Sequence, residues 1–265
     1  MARLDYPEYL RHLRDESRRF RDVLATCDPQ ARVPSCPEWN AADLLWHLAG
    51  VQWFWGNTIR TRPLGPDPDA QEPERPASYD GLLEAFDTYS AALISALEEA
   101  DPAEQAWSWS TEQTVGFTYR RQAHEALIHR LDAEQTADRV TPLDPALAAD
   151  GVDEVLDVMY GGAPPWGEFA PLPHFVQVDL SDRDESLWVQ IGRFTGTDPS
   201  DQVEYDDDDI RVVVEPGTPA DSVVHGPAAA LDAWLWRRVD DSDIRITGDR
   251  QVYDHFRTAV QHPIN

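Results

Sequence analysis

The segment RRQAHEALIHRLDAE, residues 120–134, concentrates the side chains most able to do chemistry. On a helix, at ~100° per residue, Glu125 and His129 lie about 40° apart on one face, with Gln122 and Asp132 at the adjoining turns. A carboxylate and an imidazole spaced in this way are good ligands for zinc or a similar first-row divalent metal. Taken alone, such a polar stripe is most often the exposed side of an amphipathic helix. His124 and His129 are five residues apart, roughly 140° around the helix, so they cannot face one ion together and the segment is not an HExxH protease motif. His124 is therefore read as a packing residue or an outer partner of the site, with general-base work left open. Asp132 is placed to orient His129 or to pair with a nearby arginine.

His47, in AADLLWHLAG, follows Leu44 by three residues and precedes Val51 by four, on the stripe that should face a helical core. A lone core histidine is usually just hydrogen-bonded; with a Glu/His pair on another helix it becomes a candidate third ligand. Three protein ligands leave one tetrahedral position open, as in catalytic rather than structural zinc sites. Water or a thiol would fill it, and a thiol there loses its proton readily because the cation stabilises the thiolate. Of the two cysteines, Cys36 precedes a helix start, but a buried structural thiol is the simpler reading; neither a structural disulfide nor dithiol redox chemistry is expected.

These residues need helices to position them, and the first part of the chain supplies four. Residues 5–25 carry the stripe Tyr9, Leu10, Leu13, Phe20, Val23 and Leu24, ended by Asp28-Pro29. A second helix starts at the N-cap Asn40, with Asp43 three residues on, and runs through Trp55; Trp39, Trp46, Trp53 and Trp55 are mostly core by spacing, with some free to wall a cleft. Ser78 caps a third helix that stops before Asp101-Pro102, and a fourth spans roughly 117–133. Such a set predicts an antiparallel four-helix bundle. The proline-rich stretch 60–77 reads as a long exposed loop.

From about residue 165 the helical period gives way to period-2 runs at 175–180, 187–191 and 210–214. The fold class is thus α+β in two domains: a bundle over 1–164, with the apolar run Val152–Met159 packed onto it, and a smaller α+β domain over 165–265. Pro227 marks one late helix start, and a last helix runs from Asp249 to Val260 behind Gly248. The acidic run 206–209 reads as a solvated loop.

Composition narrows the function classes. A chain of 265 residues can bury a sizeable core, and 49 acidic against 22 basic residues give a net charge of −27, which repels phosphate backbones and anionic lipid. No nucleic-acid or membrane partner is expected. All the basic residues are arginine, so Schiff-base lysine chemistry and a Walker-type phosphate lysine are excluded. The N-terminus has no apolar signal segment and no run is long enough to span a bilayer, which points to a cytoplasmic protein.

The element W-x3-D-L-x2-HLAG in residues 35–50, paired with A-H-E-x3-H-R-x-D-A in residues 120–134, resembles the mycothiol-dependent maleylpyruvate isomerase family, a branch of the DinB-like metal-binding bundles of actinobacteria. The run HGPAAALDAWLWRR followed by IRITGDRQVYDHF is similar to that family's sterol-carrier-like second domain, so the resemblance covers nearly the whole chain. It implies His47, Glu125 and His129 as zinc ligands and mycothiol as thiol cosubstrate. It also implies an arginine of the second domain, Arg237 or Arg238, holding a substrate carboxylate, a task suited to the planar guanidinium.

The expected activity is metal-assisted attack of the mycothiol thiolate on a small electrophile. It ends either in cis–trans isomerisation of a maleylpyruvate-like diacid or in S-conjugation, as in a detoxifying or biosynthetic transferase. The assembly is expected to be a monomer or homodimer. A non-catalytic ligand-binding protein predicts neither metal nor thiol affinity, and a metal-dependent hydrolase predicts turnover without thiol.

Overall fold

The computed structural model describes residues 3–66, 71–262 and 264. The chain divides into two compact units, Leu4–Leu143 and Asp144–Asn265.

The first unit is a four-helix bundle whose helices begin where short polar side chains can satisfy the free N–H groups of a first turn. Helix α1 (Tyr6–Leu24) has a capping box between Asp5 and Glu8. Helix α2 (Ala41–Thr61) has another between Asn40 and Asp43. Helices α3 (Tyr79–Glu98) and α4 (Val115–Thr136) are capped by the hydroxyls of Ser78 and Thr114. Each such cap is worth about 1 kcal/mol. Helix α1 packs chiefly on α4 and α2 on α3. A core cluster around Phe20, Leu24, Leu44, Leu45, Leu48 and Phe86 fills the lower bundle.

Two features depart from the sequence reading. A hairpin, β1 (Arg32–Val33) and β2 (Cys36–Asn40), joins α1 to α2; strands this short leave no period-2 signal. Helix α4 is buried almost all round instead of showing water a polar side. Its charged residues are accommodated by pairing, with Arg130 bound to Glu16 and Glu134 while Thr141 and Arg19 close the cluster around Glu134. Part of the proline-rich stretch, 67–70, lies outside the described residues.

In the second unit a mixed five-stranded sheet has the order β5-β4-β3-β6-β7. Strands β3 (Gly167–Leu180), β4 (Glu185–Thr197) and β5 (Glu204–Val213) form an antiparallel meander. Strand β6 (Ser222–Gly226) lies parallel to β3, and β7 (Arg245–Gly248) closes the far edge antiparallel to it. Helices α6 (Ala228–Leu235) and α7 (Arg250–Ala259) start at Pro227 and Asp249, as the sequence indicates.

The unit boundary falls at 143/144, not 164/165. Helix α5 (Pro145–Glu154) and the π-helical turn Val155–Tyr160, which carry the run Val152–Met159, belong to the second unit and not to the bundle. Helix α5 packs on α6, so closely that a Cβ on Gly151 would sit 2.7 Å from the Asp232 carboxylate, and the π-helical turn packs on β5. The run Asp206–Asp209 is likewise not a loop. It lies within β5, where Arg193 of β4 binds Asp206 and Asp208 at 3.0 and 2.9 Å and offsets the charge that would otherwise oppose pairing.

Candidate metal centre

Helices α2 and α4 bring His47, Glu125 and His129 together, with one ligand atom from each within 4.8 Å of the others. Their direction explains the meeting: Trp55 contacts Phe117 near one end while His47 stands beside His129 nearer the other, so the helices run antiparallel. Glu125 Oε1 lies 3.1 Å from His129 Nε2 and 3.7 Å from His47 Nε2. A tetrahedral ion with bonds near 2.0–2.1 Å holds its ligand atoms roughly 3.3–3.4 Å apart, so the donor set fits zinc with small adjustments.

The outer partners fit as well. Asp132 Oδ2 is 2.9 Å from His129 Nδ1. A carboxylate only accepts, so Nδ1 carries hydrogen and Nε2 is the atom that would hold an ion. Arg121 donates to the outer oxygen of Glu125 at 3.0 Å. Trp39 packs on the His47 ring at 4.7 Å between centroids.

Electrostatics favour the charged forms of Glu125 and His129. Burial alone would raise the Glu125 pKa, but hydrogen bonds from His129 and His47 and the charges of His129 and Arg121 bring it well below the usual carboxylate value. Burial alone would lower that of His129; its hydrogen bonds to Asp132 and Glu125 and their charges outweigh this and raise it to about 9.

Through His47 the cluster borders a cleft of about 720 Å³. Its lining includes His47, Trp39, Trp46 and Val51, with Glu38, Asp43 and Glu72 facing the same space and Arg75 bound to Asp43 at 2.8 Å. Trp39 and Trp46 are half-buried cleft residues, whereas Trp55 is core.

Other residues singled out by sequence lie elsewhere. His124 is fully buried and meets Tyr9 edge to face, which makes it a packing residue between α4 and α1. Gln122, also fully buried, makes no hydrogen bond through its amide among the described residues. Cys27 and Cys36 are free thiols. Arg237 and Arg238 follow α6 in the second unit. Arg237 is exposed, with φ +60°, and its guanidinium makes a long hydrogen bond to the Gln261 carbonyl at 3.4 Å. The Arg238 guanidinium is held at 2.6 Å by the Trp236 carbonyl.

Sequence reasoning missed Ser35, whose hydroxyl donates to Asp132 at 2.6 Å, because nothing local marks a turn residue as reaching a helix nearly a hundred positions on. Arg121 had a readable signal, since it stands four residues before Glu125 on the same helix.

Fold and site together define a four-helix bundle with a candidate divalent-metal centre, followed by an α+β unit. The mycothiol maleylpyruvate isomerase N-terminal domain matches residues 10–134 and the MDMPI C-terminal domain matches residues 146–255. The chain belongs to the mycothiol-dependent maleylpyruvate isomerase family. Two solved structures share its fold. Crystal structures of the mycothiol-dependent maleylpyruvate isomerase, as a histidine-to-alanine mutant and as the unmutated enzyme, align with TM-scores of 0.60 and 0.59 at 15% and 14% identity, each covering 92% of this chain and 93% of the other. No curated protein sequence matches significantly. Among the described residues no helix is long and apolar enough to cross a membrane.

Proposed function

We propose that this protein directs the thiolate of mycothiol at a small electrophile, using a divalent metal, zinc by its donor set, held by His47, Glu125 and His129. The reading rests on one observation above the rest: two imidazoles and a carboxylate converge beside an open cleft, in a chain of this family. When bound, the ion lowers the pKa of a thiol and keeps it as thiolate at neutral pH. Asp132 fixes the His129 ring, Arg121 balances the outer oxygen of Glu125, and Trp39 and Trp46 wall the cleft beside His47.

For a cis-enoyl diacid the thiolate adds to the double bond, the resulting single bond rotates, and elimination returns the trans isomer and the thiol. Arg237 or Arg238 is the candidate to hold a substrate carboxylate, as the family resemblance implies, and Arg237 is the more exposed of the two. His124, enclosed in the bundle, takes no proton in this scheme.

A second reading, S-conjugation, is favoured by the cleft wall. Glu38, Asp43 and Glu72 face the same space, and its arginine is already bound to Asp43, an environment better suited to uncharged electrophiles than to dianions.

Product analysis with zinc-loaded protein, mycothiol, maleylpyruvate and the uncharged electrophile monochlorobimane separates these readings. A trans product with thiol returned supports isomerisation, and Arg237→Ala should then raise KM more than Arg238→Ala does. A stable conjugate supports transfer. Turnover without thiol, or none with either electrophile, contradicts the proposal.

A further inference from the structure

The metal triad is braced from outside the helices that carry it. Asp132, fully buried, uses both carboxylate oxygens: Oδ2 meets His129 Nδ1 at 2.9 Å, and Oδ1 accepts the Ser35 hydroxyl at 2.6 Å. Ser35 occupies the turn between Val33 and Cys36, where β1 reverses into β2. The other end of the hairpin carries Trp39, packed on the His47 ring. One short hairpin thus touches, directly or through one carboxylate, two of the three candidate ligands.

We infer that Ser35 is a positioning residue of the metal centre: its hydroxyl fixes the rotation of the Asp132 carboxylate, which sets the ring plane and tautomer of His129 and so aims Nε2 at the ion. The physical case is geometric. A carboxylate held by one oxygen alone turns about its Cβ–Cγ bond, a soft torsion; a second short hydrogen bond removes that freedom. Outer partners of metal-bound histidines commonly contribute 10–100-fold in metal affinity. The inference rests on the metal reading of the triad.

The test is the zinc dissociation constant, by competition with a chromophoric chelator, for wild type, Ser35→Ala, Ser35→Thr, Asp132→Asn and the double variant Ser35→Ala/Asp132→Asn, each also melted metal-free. The expected result is zinc binding weakened about 10-fold by Ser35→Ala, largely restored in Ser35→Thr, and weakened no further when Ser35→Ala is added to Asp132→Asn. Wild-type zinc affinity in Ser35→Ala overturns the inference and leaves the metal reading standing. So do additive losses in the double variant, or a metal-free melting loss in Ser35→Ala with zinc affinity unchanged. Failure of wild type itself to bind zinc overturns both.

Discussion

At the scale of residues, the proposed centre is a set of paired charges that a bound ion would replace. In the metal-free protein His129 holds its proton to about 9, against an ordinary value near 6.5, because Asp132 and Glu125 outweigh the cost of burial. The sign follows from linkage: a histidine raised on folding stabilises the fold fully below the unfolded value, and this contribution is lost as pH rises through about 9. Zinc must displace that proton, so metal binding between about pH 7 and 9 should release protons. Calorimetry in two buffers of different ionisation enthalpy measures the number released; no release at pH 7.5 contradicts the protonated, Asp132-bound imidazole. The ligand spacing was legible in the sequence because an i,i+4 pair is a property of one helix. The brace from Ser35 was not, because it depends on where a hairpin lands.

At the scale of elements, helix α4 decides the architecture. A segment with so many polar residues looks half-exposed in sequence, yet it is central, and its charges survive burial only by pairing. Glu134 is the hinge of that pairing. Burial pushes its pKa up, but the Thr141 N–H and hydroxyl, Arg19 and Arg130 together leave it lowered. A depressed carboxylate contributes stability above its unfolded value, lost as pH falls through the folded one, so the protein should weaken below about pH 4.5 partly through this group. Glu134→Ala, which leaves the buried Arg130 with Glu16 as its remaining carboxylate and takes the acceptor from Thr141, should cost about 1–3 kcal/mol by denaturant unfolding at pH 7; a loss under about 0.5 kcal/mol would show that the cluster relaxes freely. The capped starts of α2 and α3 were readable because caps are local. The later half of β5, from Ile210, was readable by its alternation; the half holding Asp206–Asp209 was not, since its charges are offset by Arg193 on a neighbouring strand.

At the scale of the whole molecule, the net charge of −27 governs what approaches the protein readily. The change from helical to alternating pattern was visible in sequence, but the boundary at 143/144 was not, because the apolar stripe of α5 does not say which core it joins. Long-range repulsion by an acidic protein slows approach of a dianion and is screened by salt. Raising ionic strength from about 0.02 to 0.2 M should therefore increase kcat/KM for a dicarboxylate and leave an uncharged electrophile unaffected; equal responses would remove the field from the account. The most direct test of the central claim is zinc content of protein purified without chelator, wild type beside His47→Ala, followed by mycothiol titration of each. The account predicts about one zinc per chain and saturable thiol binding in the wild type, both lost in a still-folded variant. A folded wild type that takes up no zinc when it is offered and ignores mycothiol would contradict it.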